Sequence, residues 1–277
     1  MIEESKKILV GIVLYNPTVG VLEKNIKRII EDVDEVILVD NASTNISIVQ
    51  DSLSESKISF ITHKENKGLS YSYNEMIRYA RTNRFDCLLL LDQDSVCSDG
   101  FVKEYRLNLS EEFICLVPMI VHQNKEYQKK FGEESENPID VVDSSINSGT
   151  CINLVGLPED FVFDESFFID CIDYDFFMRL KKKNLKIARV NSAKLYISLG
   201  NITRPRFIPF FLYNYSPFRL NKQIQDRVKF IKKYANEPIA RWVRLFSAVN
   251  FFLIAFFEKQ RLKKIKAMIL GFRGRNL

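Results

Sequence analysis

Asp92 and Asp94 stand one residue apart at the end of an apolar run, in the segment CLLLLDQDS over residues 87–95. Ionised groups beside a core are costly unless something pairs with them. Two close carboxylates need a cation, or one of them must take up a proton. A hard divalent ion, Mg²⁺ or Mn²⁺, suits such a pair, because it accepts one or two carboxylates and completes its shell with phosphate oxygens. Strand alternation places Asp92 and Asp94 on one face with Gln93 opposed. The plainer reading is that the carboxylates cap the turn that follows.

Two further acidic positions bear on the same chemistry. Asp40 ends a second apolar run in VDNAST (39–44). Asp-Asn-x-Ser is turn and N-cap chemistry in its own right, so a ligand role for Asp40 needs other groups to converge on it. Asp170, Asp173 and Asp175 cluster just before Arg179. A carboxylate there, on a separate element, can serve as general base toward a hydroxyl without any metal. The alternative is helix capping with an Asp175–Arg179 pair at i,i+4.

The elements that must position these groups alternate in type. Strand-like runs occur at 8–14, 36–40, 58–62 and 87–92, with helical spacing between them, as in the stretch from Ser70 to Arg81. That alternation predicts βαβ units and a parallel sheet. In open α/β sheets ligands bind beyond the carboxyl ends of the strands. Here those ends read Tyr15-Asn16-Pro17, Asp40-Asn41-Ala42-Ser43-Thr44, His63-Lys64-Glu65-Asn66-Lys67-Gly68 and Asp92-Gln93-Asp94-Ser95. All four are polar and are expected on one edge. Neither GxGxxG after the first strand nor GxxxxGK[ST] anywhere is present, which disfavours dinucleotide oxidoreductases and P-loop NTPases.

The remaining composition narrows the class. Two histidines, His63 and His122, leave little material for a zinc site or a Ser-His-Asp triad. Five cysteines without a CxxC pair, most of them in apolar segments, read as reduced core residues of a cytoplasmic protein. The start, MIEESKKILVG, is too acidic for a signal peptide, and no window holds 18 uninterrupted apolar residues. Residues 123–146 are acidic and weakly patterned, and read as an excursion from the core.

Charge is unevenly placed. Residues 1–180 carry 17 Lys and Arg against 32 Asp and Glu, whereas 181–277 carry 23 against only 3. The basic third points to an anionic partner, with membrane phospholipid and a polyphosphate substrate as the leading choices, or to docking on the acidic part. Its basic residues are interleaved with long apolar runs, as in RWVRLFSAVNFFLIAFFEKQRLKKIK (241–266). Nucleic acid is therefore not expected. This segment is read as too short to span a bilayer and suited to lie in its interface, or alternatively as a buried helix with basic flanks.

With these residues in hand, the chain resembles the inverting family-2 glycosyltransferases of the GT-A fold, and within them the rhamnosyltransferase-like group. The segments VLYNP (13–17), VDNAST (39–44), NKGLSYSYN (66–74), LLLDQDS (89–95), NSG (147–149) and IDYDFFMRL (172–180) carry the resemblance in order and spacing. It implies an α/β fold, a mostly parallel sheet with helices on both faces, and a helical, basic and aromatic C-terminal extension. The implied division is a nucleotide-sugar-binding and catalytic domain over 1–205 and a possible membrane-associating region over 206–277.

The resemblance also implies roles. Leu14, Tyr15, Asp40 and Asn41 would bind the base and ribose, and Asn66, Gly68 and Asn74 would shape the nucleotide-sugar pocket together with Gln93. Asp92 and Asp94 match the family's DxD pair on the diphosphate, with Asp94 the direct Mg²⁺ or Mn²⁺ ligand. Asp173 falls at the catalytic base, and Ser148 and Gly149 lie where the acceptor approaches. The implied activity moves rhamnose from dTDP-rhamnose to a lipid-linked oligosaccharide of a bacterial cell-surface polysaccharide, from the cytoplasmic face of the membrane. A UDP-hexose transferase and a catalytically weakened nucleotide-sugar-binding or scaffold protein are the alternatives, and a homodimer is left open. The chain departs from the family at Ile197, where many relatives carry a metal-site histidine, and in the LNKQIQD that follows Ser216-Pro217-Phe218-Arg219.

Overall fold

A computed structural model describes residues 6–122, 128, 135–197, 203–204 and 210–277. By packing, the chain divides into two compact units. The first takes residues 1–164 and 176–198, and the second 165–175 and 199–277.

The first unit is built on a sheet that starts with β1 (Ile8–Leu14), whose seven residues are all buried. Helix α1 (Val19–Lys27) leads to β2 (Glu35–Asp40), α2 (Ile46–Ser52) to β3 (Ile58–Thr62), and α3 (Leu69–Thr82) to β4 (Cys87–Asp92). These strands lie in the order β3-β2-β1-β4 and all their pairings are parallel. The four expected runs are thus strands, each within a residue of its predicted bounds. Near-continuous apolar character follows from cover on both faces. On one face Ile8, Val10, Ile12 and Leu14 pack with Leu22 and Ile26 of α1. On the other, α3 comes so close at Gly11 that a Cβ there would lie 2.5 Å from the Met76 sulfur.

Beyond β4 the sheet becomes mixed. Its further strands are β5 (Val96–Cys97), β6 (Phe113–His122), β7 (Ile139–Val142), β8 (Cys151–Asn153) and β9 (Lys186–Ile197), with α4 (Phe101–Asn108) after β5. Strand β8 pairs antiparallel with β4 and β6, and β9 runs parallel to β6 but antiparallel to β5 and β7. Part of the weakly patterned stretch 123–146 is therefore strand β7; residues 123–127 and 129–134 lie outside the described residues. All five cysteines are buried and free.

Helix α5 (Ile172–Lys182) carries the division between the units, its first turn belonging to the second. That unit holds the loop 165–171 and the helices α6 (Pro217–Lys233), α7 (Pro238–Phe257) and α8 (Arg261–Phe272). Ser216 caps α6 through its Oγ, which accepts from the Arg219 N–H at 3.2 Å, and Pro217 occupies the first helical position. Leu220 and Ile224 of α6, Ile254 of α7 and Met268 of α8 form its apolar centre. Gly271 lets α8 approach α6 closely, since a Cβ there would meet the Asn221 carbonyl at 2.5 Å. Asn221 is fully buried and donates from Nδ2 to the carbonyls of Ala267 and Arg275.

Candidate functional site

The sheet register brings the strand ends to one level. Leu14 sits opposite Asp40, Asp40 opposite Thr62, and Val13 opposite Asp92. Every parallel strand leaves main-chain donors and acceptors at its last residue, and the segments beyond satisfy them for one another.

At the end of β1, Gln93 takes over the work of a neighbouring strand. Its Oε1 accepts from the Tyr15 N–H at 2.9 Å and its Nε2 donates to the Tyr15 carbonyl at 3.3 Å. Both main-chain polar groups of Tyr15 are thereby met by one side chain, while the residue is left exposed. Asn16 follows with φ of 47°, and its N–H donates to Ser43 Oγ at 2.8 Å. Asn16 Oδ1 in turn accepts from the Thr44 N–H and hydroxyl, each at 2.9 Å.

At the end of β2, Asp40 is 1% exposed and its two carboxylate oxygens accept from the Ser43 N–H at 3.2 and 3.1 Å. The turn chemistry expected of Asp-Asn-x-Ser is present, whereas the N-cap position of α2 falls on Asn45, which makes no side-chain cap bond. Asn41, equally buried, continues the ladder with its N–H on the Leu14 carbonyl at 2.8 Å. Its side chain holds the β3–α3 loop: Nδ2 donates to the Gly68 carbonyl at 3.2 Å and Oδ1 accepts from the Lys67 N–H at 3.2 Å. His63 Nδ1 lies 3.1 Å from the same Oδ1, and its Nε2 contacts the Glu75 carboxylate. Both ring nitrogens thus face acceptors.

Asn66 and Gly68 make the bend into α3. Asn66 Oδ1 accepts from the Gly68 N–H at 3.0 Å, and Gly68 has φ of 87°, a region that side chains disfavour. Asn74 lies deeper, 2% exposed. Its amide trades two hydrogen bonds with the main chain of Phe163, at 2.9 and 2.8 Å.

Strand β4 stops at Asp92, and Gln93-Asp94 form a turn closed by the Ser95 N–H on the Asp92 carbonyl at 3.2 Å. Strand alternation therefore does not govern Asp94; the turn places it, and both carboxylate residues are exposed. Ser148 pins this turn. Its Oγ accepts from the Asp92 N–H at 2.9 Å and lies 2.9 Å from Ser95 Oγ, and the residue is 2% exposed. Gly149 next to it has φ of 84° and donates to the Leu90 carbonyl at 2.7 Å, and its own carbonyl accepts from the Tyr105 hydroxyl at 2.7 Å. The positions that the resemblance gives to the acceptor are thus a brace under the acidic turn.

Among the described residues no cluster of three or more His, Cys, Asp or Glu side chains is placed to hold a metal. Ile197 ends β9 inside the apolar core, in register with His122. The available donor set is two exposed carboxylates. That suits a hard ion whose remaining ligands are water and phosphate oxygens, so the residues fit Mg²⁺ or Mn²⁺ arriving with a diphosphate.

In the second unit Asp173 lies in the first turn of α5, half-buried, with Oδ1 accepting from the Tyr174 N–H at 2.9 Å. An acid suits a helix N-terminus. The loop before it is fixed by Asp226 of α6, whose Oδ2 accepts from the N–H groups of Phe168, Ile169 and Asp170 at 2.9, 2.8 and 3.0 Å. Burial pushes the Asp226 carboxyl up from its ordinary value, although the three amides pull it down. Asp170 pairs with Arg227 at 2.8 Å. Asp175 accepts from the Tyr234 hydroxyl at 2.7 Å and from Lys233 at 2.6 Å. Nothing local in the sequence announces Asp226 and Gln93 as supports, because their partners are main-chain groups 56 to 58 and 78 residues away.

A parallel half-sheet with acidic and amide groups at its carboxyl edge, followed by a mixed half, defines a GT-A glycosyltransferase fold. The Glycosyl transferase family 2 model matches residues 9–153, and the chain belongs to that family. It is similar over 98% of its length to the dTDP-rhamnosyl transferase RfbF of Shigella flexneri, with 23% identity and 97% of that protein covered. Among solved structures, S. aureus TarS 1-349 in complex with UDP-GlcNAc superposes with a TM-score of 0.52 at 15% identity, covering 96% of this chain and 81% of that one. The complex of TarS 1-349 with UDP gives 0.51 at 16% identity, over 91% of this chain and 73% of that chain.

Proposed function

We propose that this family-2 glycosyltransferase moves rhamnose from dTDP-rhamnose onto a hydroxyl of a lipid-linked oligosaccharide, in the assembly of a bacterial cell-surface polysaccharide. One observation carries the reading: four strand ends converge on an edge whose main chain is already held by Gln93, Asn41 and Ser148. A nucleoside diphosphate meets there an organised set of amides and carboxylates. The near full-length similarity to a dTDP-rhamnosyl transferase favours rhamnose. UDP-hexose is the competing donor, since TarS has been crystallised with UDP-GlcNAc. The isoleucine at 197 favours a weaker reading, a nucleotide-sugar-binding protein with little turnover.

Tyr15, Asp40 and Asn41 would receive the base and ribose, and Asp92 and Asp94 would hold a divalent ion on the diphosphate. Such an ion offsets the negative charge that grows on the leaving group. Asp173 would take the proton from the acceptor hydroxyl, whose oxygen then attacks the anomeric carbon in a single displacement with inversion. The nucleoside diphosphate departs as the glycosidic bond forms, and no covalent enzyme intermediate is needed.

Thermal-shift titration of dTDP-, UDP- and GDP-sugars, each with and without Mn²⁺, separates the donors, because bound ligand stabilises by RT ln(1+[L]/Kd). Stabilisation by dTDP-rhamnose alone is expected. Preference for a UDP-sugar moves the assignment to hexosyl transfer, and donor binding without turnover on any acceptor supports the weaker reading.

A further inference from the structure

Helices α7 and α8 leave apolar side chains facing outward. In α7 the inward positions Val243, Asn250 and Ile254 follow one helical stripe, and all are buried. Two residues further along, about 200° around the helix, lie Leu245, Phe252 and Phe256, exposed at 65%, 58% and 60%. Phe252 and Phe256 pack on each other, with ring centroids 4.5 Å apart. On α8 Leu262 and Ile269 are exposed, and the exposed Lys266 stands between them at helical spacing.

Charge decides what fits such a surface. From residue 238 to 277 there are nine Lys and Arg and a single acid, Glu258. That acid is buried and bonded to Lys264 at 2.5 Å, so no carboxylate side chain in this stretch faces outward. A second copy meeting this surface symmetrically would set like charges together. An anionic lipid surface receives both features: rings enter the headgroup–acyl boundary, and long basic chains reach the phosphates.

We infer that the α7–α8 face docks on an anionic phospholipid bilayer, lying in its interface. Contrary to the expectation that this segment is too short to span, helix α7 with its 20 residues is long and apolar enough to cross a bilayer by length and composition. Its buried stripe on α6 and α8 is already taken up by protein, and Arg241 and Arg244 sit in its first two turns. Docking in the plane uses the free face without uncovering the packed one. The inference does not depend on which sugar is transferred.

Flotation of the full chain with phosphatidylcholine vesicles containing 30% phosphatidylglycerol or none, at low and high salt, tests it. Binding is expected to anionic vesicles, falling about tenfold or more without phosphatidylglycerol or in high salt, because each basic residue near the headgroups contributes about fivefold. Phe252→Ser with Phe256→Ser should weaken it at least about tenfold, with an unchanged melting temperature and donor-induced thermal shift. Indifference to phosphatidylglycerol overturns the inference, as does a soluble dimer that the two serines dissociate. Protein in bacterial membranes that resists alkaline carbonate also overturns it, in favour of a spanning helix.

Discussion

The strand-end edge of the first unit and the outward face of α7 and α8 in the second are built on opposite principles. At the edge almost every side chain is committed: Gln93 to Tyr15, Asn16 to Thr44, Asn41 to the β3–α3 loop, Ser148 to the acidic turn. The function proposed for it depends on fixing main chain and a few carboxylates in advance of the ligand. On α7 Leu245, Phe252 and Phe256 stay exposed, and the outward charge over residues 238–277 is of one sign. Breaking the edge should therefore act through geometry, with losses set by how far one group moves. Breaking the helical face should act through partition, with losses that follow salt and lipid charge.

The largest effect is expected at Asp173. Asp173→Asn keeps the shape of the first turn of α5 and should lower transfer about 1000-fold, the range of a general base, while donor binding is retained. Transfer kinetics beside a thermal shift check this. Gly149→Ala comes next. A Cβ there would stand 2.4 Å from Pro118 Cγ in a backbone with φ of 84°. Crowding and left-handed strain together should cost roughly 3 kcal/mol in urea unfolding.

Strands β1 to β4 were legible because each is a local apolar run bounded by polar turn residues, and the edge followed from their parallel order. Strand β8 has three residues and β7 four, too short for a period to stand out. Ser148 could not be placed, because its hydroxyl answers an amide 56 residues upstream, and nothing local announces that bond. The turn at Gln93-Asp94 was hidden for a related reason: alternation in a strand says nothing once the strand has ended. In the second unit the amide cluster around Asp226 joins two segments that carry no shared motif.

A smaller loss sharpens the edge's side of the contrast. Gln93→Ala removes both hydrogen bonds to Tyr15 without touching a carboxylate, and should weaken donor binding about fivefold, roughly 1 kcal/mol. An unchanged kcat would mark Gln93 as a positioning residue. The smallest effect lies away from both regions, at Asp140 of β7. Hydrogen bonds from Asn191, Asn137 and Arg189 hold its carboxyl well below the usual range. A depressed folded value contributes stability above the unfolded value, near about 3.9, and loses it as pH falls toward the folded one. The urea midpoint of Asp140→Asn should thus lie below that of the unaltered chain at pH 6, with the gap narrowing below about pH 4.

The central claim is that Asp92 and Asp94 anchor a metal-bound nucleoside diphosphate sugar at this edge. Calorimetric titration of dTDP-rhamnose, with and without Mn²⁺, into the unaltered chain and into Asp92→Ala/Asp94→Ala tests it most directly. The account predicts binding that strengthens with Mn²⁺ in the unaltered chain and loses that dependence in the double variant. Equal, Mn²⁺-dependent binding by both proteins would contradict it.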